Sequence, residues 1–173
     1  MPLRNGSDNG HHFNMSKVTL TTELPLRAEV ACAMARTPEL FAFVVAPIIS
    51  VPRLEIPDRV EPGVEGAARI WWFGVVPAWR HHLRLVRLTD REIYTNEWGG
   101  PVRIWNHHLT FEPIDDTRCR YTDEIEAQDG LHGFGVRLFI HVMFRHRHRR
   151  WRQLAALLAQ SDIDIRPGRA AAD

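Results

Sequence analysis

Residues 97–125, EWGGPVRIWNHHLTFEPIDDTRCRYTDEI, decide how the rest of the chain is read. Two alternating runs flank the polar segment Pro113-Ile114-Asp115-Asp116-Thr117, whose composition is that of a tight turn between antiparallel strands. With Asp115 at the centre of the turn, Trp105 lies opposite Ile125, His107 opposite Asp123, Leu109 opposite Tyr121 and Phe111 opposite Cys119. On the other face Asn106 meets Glu124, His108 meets Thr122, Thr110 meets Arg120 and Glu112 meets Arg118. One face is apolar or aromatic except for His107 and Asp123, and the other is polar throughout. Side chains alternate with a period of two, so a slip of one residue would mix the two sets. The inner face of this hairpin is where the function is expected.

Outward from the hairpin, 173 residues suit one domain, expected over 17–160, with loose tails at 1–16 and 161–173. The composition, 45% hydrophobic and 25% charged, is that of an ordinary globular protein. The net charge of +1 hides an asymmetry: acids gather at 55–65 and arginines at 137–152. The two cysteines, Cys32 and Cys119, are far apart, and the first residues, MPLRNGSDNGHHF, lack the apolar core of a secretory signal. These features predict a cytoplasmic protein with reduced thiols. Met15-Ser16-Lys17 could equally be the natural start. The runs FAFVVAPIISV and FGVRLFIHVMF are too short or too interrupted to span a bilayer.

The remaining pattern predicts an α+β order. A strand covers 17–26, and a short helix covers 27–35. A second short helix, PELFAFVVA, has Thr37 as N-cap and Pro38 at its first position, and stops near Pro47. Strand character returns at 48–56, broken or confined to an edge by Pro52. An acidic Pro/Gly loop at 58–66 precedes a strand at 68–76 that is apolar on both parities. Two strands at 79–88 and 92–98 follow, whose inner face is ambiguous: Leu83, Leu85 and Ile93 argue for one parity, Val86, Leu88, Tyr94 and Trp98 for the other. After the hairpin, Val136, Ile140, Met143, Trp151, Leu154 and Leu158 recur at helical spacing over 133–160, apart from a step at Arg147.

His107 and Asp123, on an otherwise apolar face, are expected to contact each other, because an unpaired buried charge is costly. The pair is either a general acid/base couple, the carboxylate fixing the imidazole tautomer and raising its pKa, or a buried polar pin for the strand register. Trp71, Trp72, Trp105, Tyr121, Phe139 and Phe144 would line a pocket or equally fill a dry core. Arg145-His146-Arg147-His148-Arg149-Arg150-Trp151-Arg152 offers a basic surface for phosphates or anionic lipid, or a solvated face paired with acids at 55–65 or with Glu124 and Glu126. Arg147, nearest the apolar stripe, would reach inward to an anionic ligand head or to Asp123. No nucleic-acid motif accompanies the arginines. His11-His12 sit in the N-terminal tail, and His146 and His148 would be splayed apart by a helix, so neither spacing supports a metal site. No GxSxG motif occurs.

Gly100-Pro101, Trp105, His107 and Phe111, with Ala46-Pro47 and Thr122-Asp123, resemble the Gly-Pro…Trp-x-His…Phe run of the START-like (SRPBCC, Bet v1-like) superfamily and its polyketide cyclase/dehydrase-type members. The resemblance covers about residues 17–160. It implies a helix-grip fold: two short helices after the first strand, and a curved antiparallel sheet of about six to seven strands wrapped around a long C-terminal helix. It also implies an internal pocket for an apolar molecule, lined by Trp72, Trp105, His107, Leu109, Tyr121, Asp123, Phe139, Met143 and Arg147. Members often carry a second His two residues after the first, where this chain has Leu109. That departure moves the expectation from catalysis toward binding or carriage of a lipid, polyketide or similar molecule. The other classes are a polyketide cyclase or dehydratase using His107 and Asp123, and lipid or quinone delivery at an anionic membrane through the arginine-rich helix. No cofactor, metal or nucleic-acid partner is expected, and the pattern does not specify an oligomeric state.

Overall fold

The computed structural model describes residues 14–55, 60–100, 102–129 and 133–161. The tail expectations at 1–13 and 162–173, His11-His12 among them, lie outside these residues, as do Ile56, Asp58 and Pro101.

The chain runs β1 (Asn14–Leu24), α1 (Ala28–Ala35), α2 (Pro38–Val45), β2 (Ile49–Ser50), β3 (Leu54–Glu55), β4 (Glu65–Trp72), β5 (Val76–Thr89), β6 (Glu92–Gly99), β7 (Val102–Pro113), β8 (Cys119–Asp129) and α3 (Gly133–Gln160). One antiparallel sheet has the order β1-β8-β7-β6-β5-β4-β2, with β3 also pairing β4. The long helix α3 lies along β1 and against α2, so the sheet curls around it in a helix-grip fold. This is the α+β class expected. Leu24, Cys32, Phe111, Cys119, Tyr121, Ile125, Ile140 and Trp151 form the sealed part of the core, and both thiols are free.

Local chemistry explains the punctuation. The Thr37 hydroxyl accepts the Leu40 N–H at 3.2 Å, Pro38 follows it, and α2 ends at Ala46, before Pro47. Pro52 breaks the strand expected at 48–56 into the two-residue pieces β2 and β3. β1 begins at Asn14, three residues earlier than expected, because its ladder to β8 runs from Leu24↔Cys119 to Asn14↔Asp129.

Two of these expectations need correction, and one open point is resolved. The β7–β8 hairpin has the expected faces but a register two residues away: His107 lies opposite Ile125, Leu109 opposite Asp123, Phe111 opposite Tyr121 and Trp105 opposite Ala127. Arg118, expected across from Glu112, is instead held inside the turn. Asp115 accepts the Thr117 N–H at 2.9 Å and the Arg118 Nε–H at 2.8 Å, and the ladder opens at Pro113↔Cys119. An even slip preserves every side chain's face, which is why the inner set survived.

The strand expected at 68–76 ends at Trp72. Phe73 and Gly74 adopt positive φ (51° and 74°) and the Val75 N–H bonds to the Trp72 carbonyl, so the chain reverses there and Val76 already belongs to β5.

The ambiguity over residues 79–98 has a physical answer. The β5–β6 register shifts between Leu85 and Arg87, a β-bulge at Val86. Leu85 faces the core before it and Leu88 packs on the core after it, while Val86 is 41% exposed. Both parities are inward, on opposite sides of the bulge. On β6, Ile93, Thr95 and Glu97 face in.

Candidate functional site

Inward positions of four adjacent strands, with one face of α3, assemble a buried polar network. Asp123 of β8 has no exposure to solvent. Its Oδ1 accepts the His107 Nε2–H at 2.7 Å, its Oδ2 accepts the His148 Nε2–H at 2.9 Å, and Arg147 Nε stands 3.6 Å from Oδ2. His107, opposite Ile125, reaches Asp123 diagonally across the β7–β8 ladder. Its other nitrogen, Nδ1, lies 3.6 Å from Oε1 of Glu97 on β6. Glu97 in turn accepts the Thr95 hydroxyl at 2.6 Å and the His81 Nε2–H at 2.8 Å. The network thus runs His81–Glu97–His107–Asp123–His148, with Arg147 beside Asp123.

Burial alone would raise the Asp123 carboxyl's pKa, but the Arg147 charge and the His107 and His148 hydrogen bonds hold it well below the usual carboxylate range. Burial likewise opposes ionisation of Glu97, and the His107 and His81 contacts overcome it, so Glu97 is also held low. Burial would lower the His107 pKa, yet the hydrogen bond to Asp123 and the Glu97 carboxylate on its other side raise it above 6.5. An imidazole between two carboxylates is stabilised with both nitrogens protonated. The network therefore sets two carboxylates, Asp123 and Glu97, against the Arg147 guanidinium and an imidazole whose protonated form they favour.

Aromatic rings continue from this network along the N-terminal half of α3. Trp72 meets Trp79 and Phe139 edge-on at 5.4 and 5.6 Å, Trp105 stacks on Phe144 at 6.1 Å, and His107 sets its edge on Phe144 at 5.2 Å. Tyr121 packs against Trp151 at 4.5 Å and His148 at 4.8 Å.

Of the residues singled out from sequence, His107, Asp123, Tyr121 and Arg147 come together at the network. Leu109, opposite Asp123, and Met143 are buried core neighbours. Trp105 connects to the network through Phe144, whereas Trp72 and Phe139 form a separate cluster with Trp79. Glu97, His81, Thr95 and His148 were missed. For His148 the signal was present: Ile140, Phe144 and His148 repeat at four-residue steps on the buried stripe. Glu97 and Thr95 share the parity of Ile93, but the bulge in β5 hid which parity was inward.

The expected pairing of α3 arginines with acids at 55–65, Glu124 or Glu126 is not what the described residues show. Glu124 pairs with Lys17 at 2.7 Å and Glu55 with Arg80, while Arg150 donates to the Phe43 carbonyl at 2.8 Å. The outer face of the sheet carries an open, polar groove of about 220 Å³ lined by Arg87, Glu92, Tyr94, Asn106, His108, Glu124 and Glu126. Among the described residues no cluster of three or more His, Cys, Asp or Glu is arranged to hold a metal ion, and no helix is long and apolar enough to cross a membrane.

The chain is similar in structure to a START superfamily protein from Mycobacterium smegmatis, at 14% identity and a TM-score of 0.66, covering 82% of this chain and 98% of that one. It is similar also to Ara h 8.0201, at 10% identity and a TM-score of 0.65, covering 83% and 99%. A conserved protein from Geobacillus kaustophilus matches at 12% identity and a TM-score of 0.60, covering 82% and 96%. At these identities the likeness is one of fold, and the fold is START-like and Bet v1-like. Comparison with curated proteins finds no match. Residues 50–155, more than half of the chain, match the family described as Domain of unknown function (DUF8410), and the chain belongs to that family.

Proposed function

We propose that the protein binds and carries an apolar small molecule between the sheet and α3. One observation carries this reading: the inner face is sealed at one end and unsealed at the other. Around the C-terminal half of α3, Tyr121, Trp151, Phe111 and Ile140 are fully buried. Around its N-terminal half, Trp72, Trp79, Trp105 and Phe139 are only half-buried, though packed against the same core. Large aromatic rings left partly uncovered on a concave face are the chemistry of an apolar ligand site. The START-like and Bet v1-like fold supports the same class.

The network favours binding over proton transfer. His107 is held between two carboxylates, and each oxygen of the buried Asp123 already accepts from a histidine, so both groups are engaged within the protein. Against the cyclase or dehydratase alternative, the pair is a polar support for the pocket wall.

Native mass spectrometry of the purified protein tests the reading, with a co-purifying apolar molecule as the expected result. In binding titrations of that molecule, Trp72→Ala and His107→Ala should weaken affinity. Unchanged affinity in both variants would remove the inner face as the site.

A second reading, delivery at an anionic membrane, has its own observation. Phe134, Leu138 and Val142 are exposed on successive turns of α3, in line with Arg145, Arg149 and Arg152.

A further inference from the structure

Buried polar atoms in folded proteins are almost all hydrogen-bonded, so those that are not mark a missing partner. Among the described residues there are seven such side-chain atoms; four are on Arg36, Trp71, Trp79 and His81, and the other three, on Tyr121, Arg147 and Trp151, belong to neighbouring side chains. The Tyr121 hydroxyl sits on a fully buried ring, and Arg147 has a side chain only 10% exposed. Neither that hydroxyl nor the Arg147 Nε has a hydrogen-bond partner among the described residues. At 3.6 Å from Asp123, the Arg147 Nε is within ion-pair range but too far for a hydrogen bond. The nearest carboxylate is also occupied, Oδ1 by His107 and Oδ2 by His148. Tyr121, Arg147 and Asp123 are close enough to perturb one another's ionisation, which places them on one spot. The Trp151 Nε1, on the ring against Tyr121, is unpaired as well.

All three are donors: a guanidinium and an indole N–H can only donate, and a phenol readily does. A single added acceptor at this spot would serve all three. We infer that Arg147 and Tyr121 form the polar end of the binding site and receive a carboxylate at the buried end of an apolar ligand. This deepens the carrier function proposed above and depends on it.

A carboxylate presents two acceptor oxygens that match a guanidinium, whereas a hydroxyl offers a weaker partner and an alkyl end offers none. Asp123 and Glu97 already stand close to Arg147, so a singly charged head costs less there than a doubly charged phosphate. The hydrocarbon would lie along α3. From Arg147 back to Val136 the inner stripe of α3 passes Phe144, Met143, Ile140 and Phe139, about 16 Å of apolar helix face at the rise of an α-helix. It ends beside the half-buried rings of Trp72 and Trp79.

The test is calorimetric titration at neutral pH with a long-chain saturated fatty acid, the primary alcohol and the alkane of equal chain length. The acid should bind about tenfold or more tightly than the alcohol. Tyr121→Phe should weaken the acid more than the alcohol, and Arg147→Met should abolish the preference, the acid losing far more affinity than the alcohol or the alkane. Removing Arg147 leaves Asp123 with less compensation and risks misfolding, so circular dichroism accompanies each variant. Tyr121→Phe strands no partner and decides the matter by itself if Arg147→Met does not fold. Equal binding of acid and alcohol by the wild type, or a preference unchanged in Tyr121→Phe, overturns the inference alone. Failure of all three compounds to bind overturns the carrier function with it.

Discussion

A carboxylate with no solvent exposure persists only where donors surround it, and at Asp123 these are His107, His148 and the nearby Arg147. Removing the anion strands Arg147 and His107 as buried cations. Asp123→Asn is therefore expected to cost about 3–5 kcal/mol, read from the midpoint of urea unfolding. The pH dependence follows from the directions of the shifts. His107 is held above 6.5, so its contribution is complete below that value and is lost as pH rises through the folded-state pKa. Asp123 and Glu97 are held below 3.8 and 4.5, so theirs is complete above those values and is lost as pH falls through the folded-state pKa values. Thermal midpoints should therefore be highest between these limits and decline on both sides. His107→Gln should flatten the alkaline decline, and a decline as steep as wild type would show that another group causes it. At this scale His107 and Asp123 were legible because each interrupts an apolar face, and Arg147 because it interrupts a helical stripe. Glu97 and His81 were not, since their meeting depends on how β5 and β6 align.

The elements show why such alignment escapes a local pattern. Alternation specifies which face a residue takes but is blind to a slip of two, and so the β7–β8 hairpin kept its inner set while every partner changed. Inside the turn Asp115 holds Arg118, away from the place opposite Glu112 that alternation alone assigns it. A single bulge at Val86 likewise made two contradictory parities in β5 both correct. Helix boundaries were easier, because a cap is a short-range device. The Thr37 hydroxyl both accepts the Leu40 N–H and donates to the Met34 carbonyl at 2.8 Å, tying α2 to the end of α1. Thr37→Ala should cost about 1 kcal/mol in denaturant unfolding, while Thr37→Ser should restore nearly all of it. A loss no smaller in the serine variant would mean that the cap is not the cause.

For the molecule as a whole, charge is distributed along α3 in a way the net value of +1 conceals. The helix has six arginines and no acid. Its outward line changes from Phe134, Leu138 and Val142, exposed by 76%, 53% and 54%, to Arg145, Arg149 and Arg152. The delivery reading predicts sedimentation with vesicles containing phosphatidylserine, weaker with phosphatidylcholine alone and reduced at high salt. Replacing Arg145, Arg149 and Arg152 with Gln should cost roughly 3 kcal/mol of vesicle affinity, at about 1 kcal/mol per residue near the surface. Leu138→Asp should weaken binding without changing the salt dependence. Equal sedimentation with neutral vesicles would exclude an electrostatic contribution.

The pairing of β1 with β8 joins the start of the described chain to a strand from far along it: the Thr21 and Thr122 hydroxyls, 3.1 Å apart, are separated by 101 residues. Among the described residues β1 pairs with β8 alone, and α3, which packs over it, is made later still. On a ribosome the first strand therefore emerges with its hydrogen-bonding edge open and stays so until almost the whole domain has been synthesised. Closing so long a loop is entropically slow, so the last event in folding is expected to be the docking of the first strand.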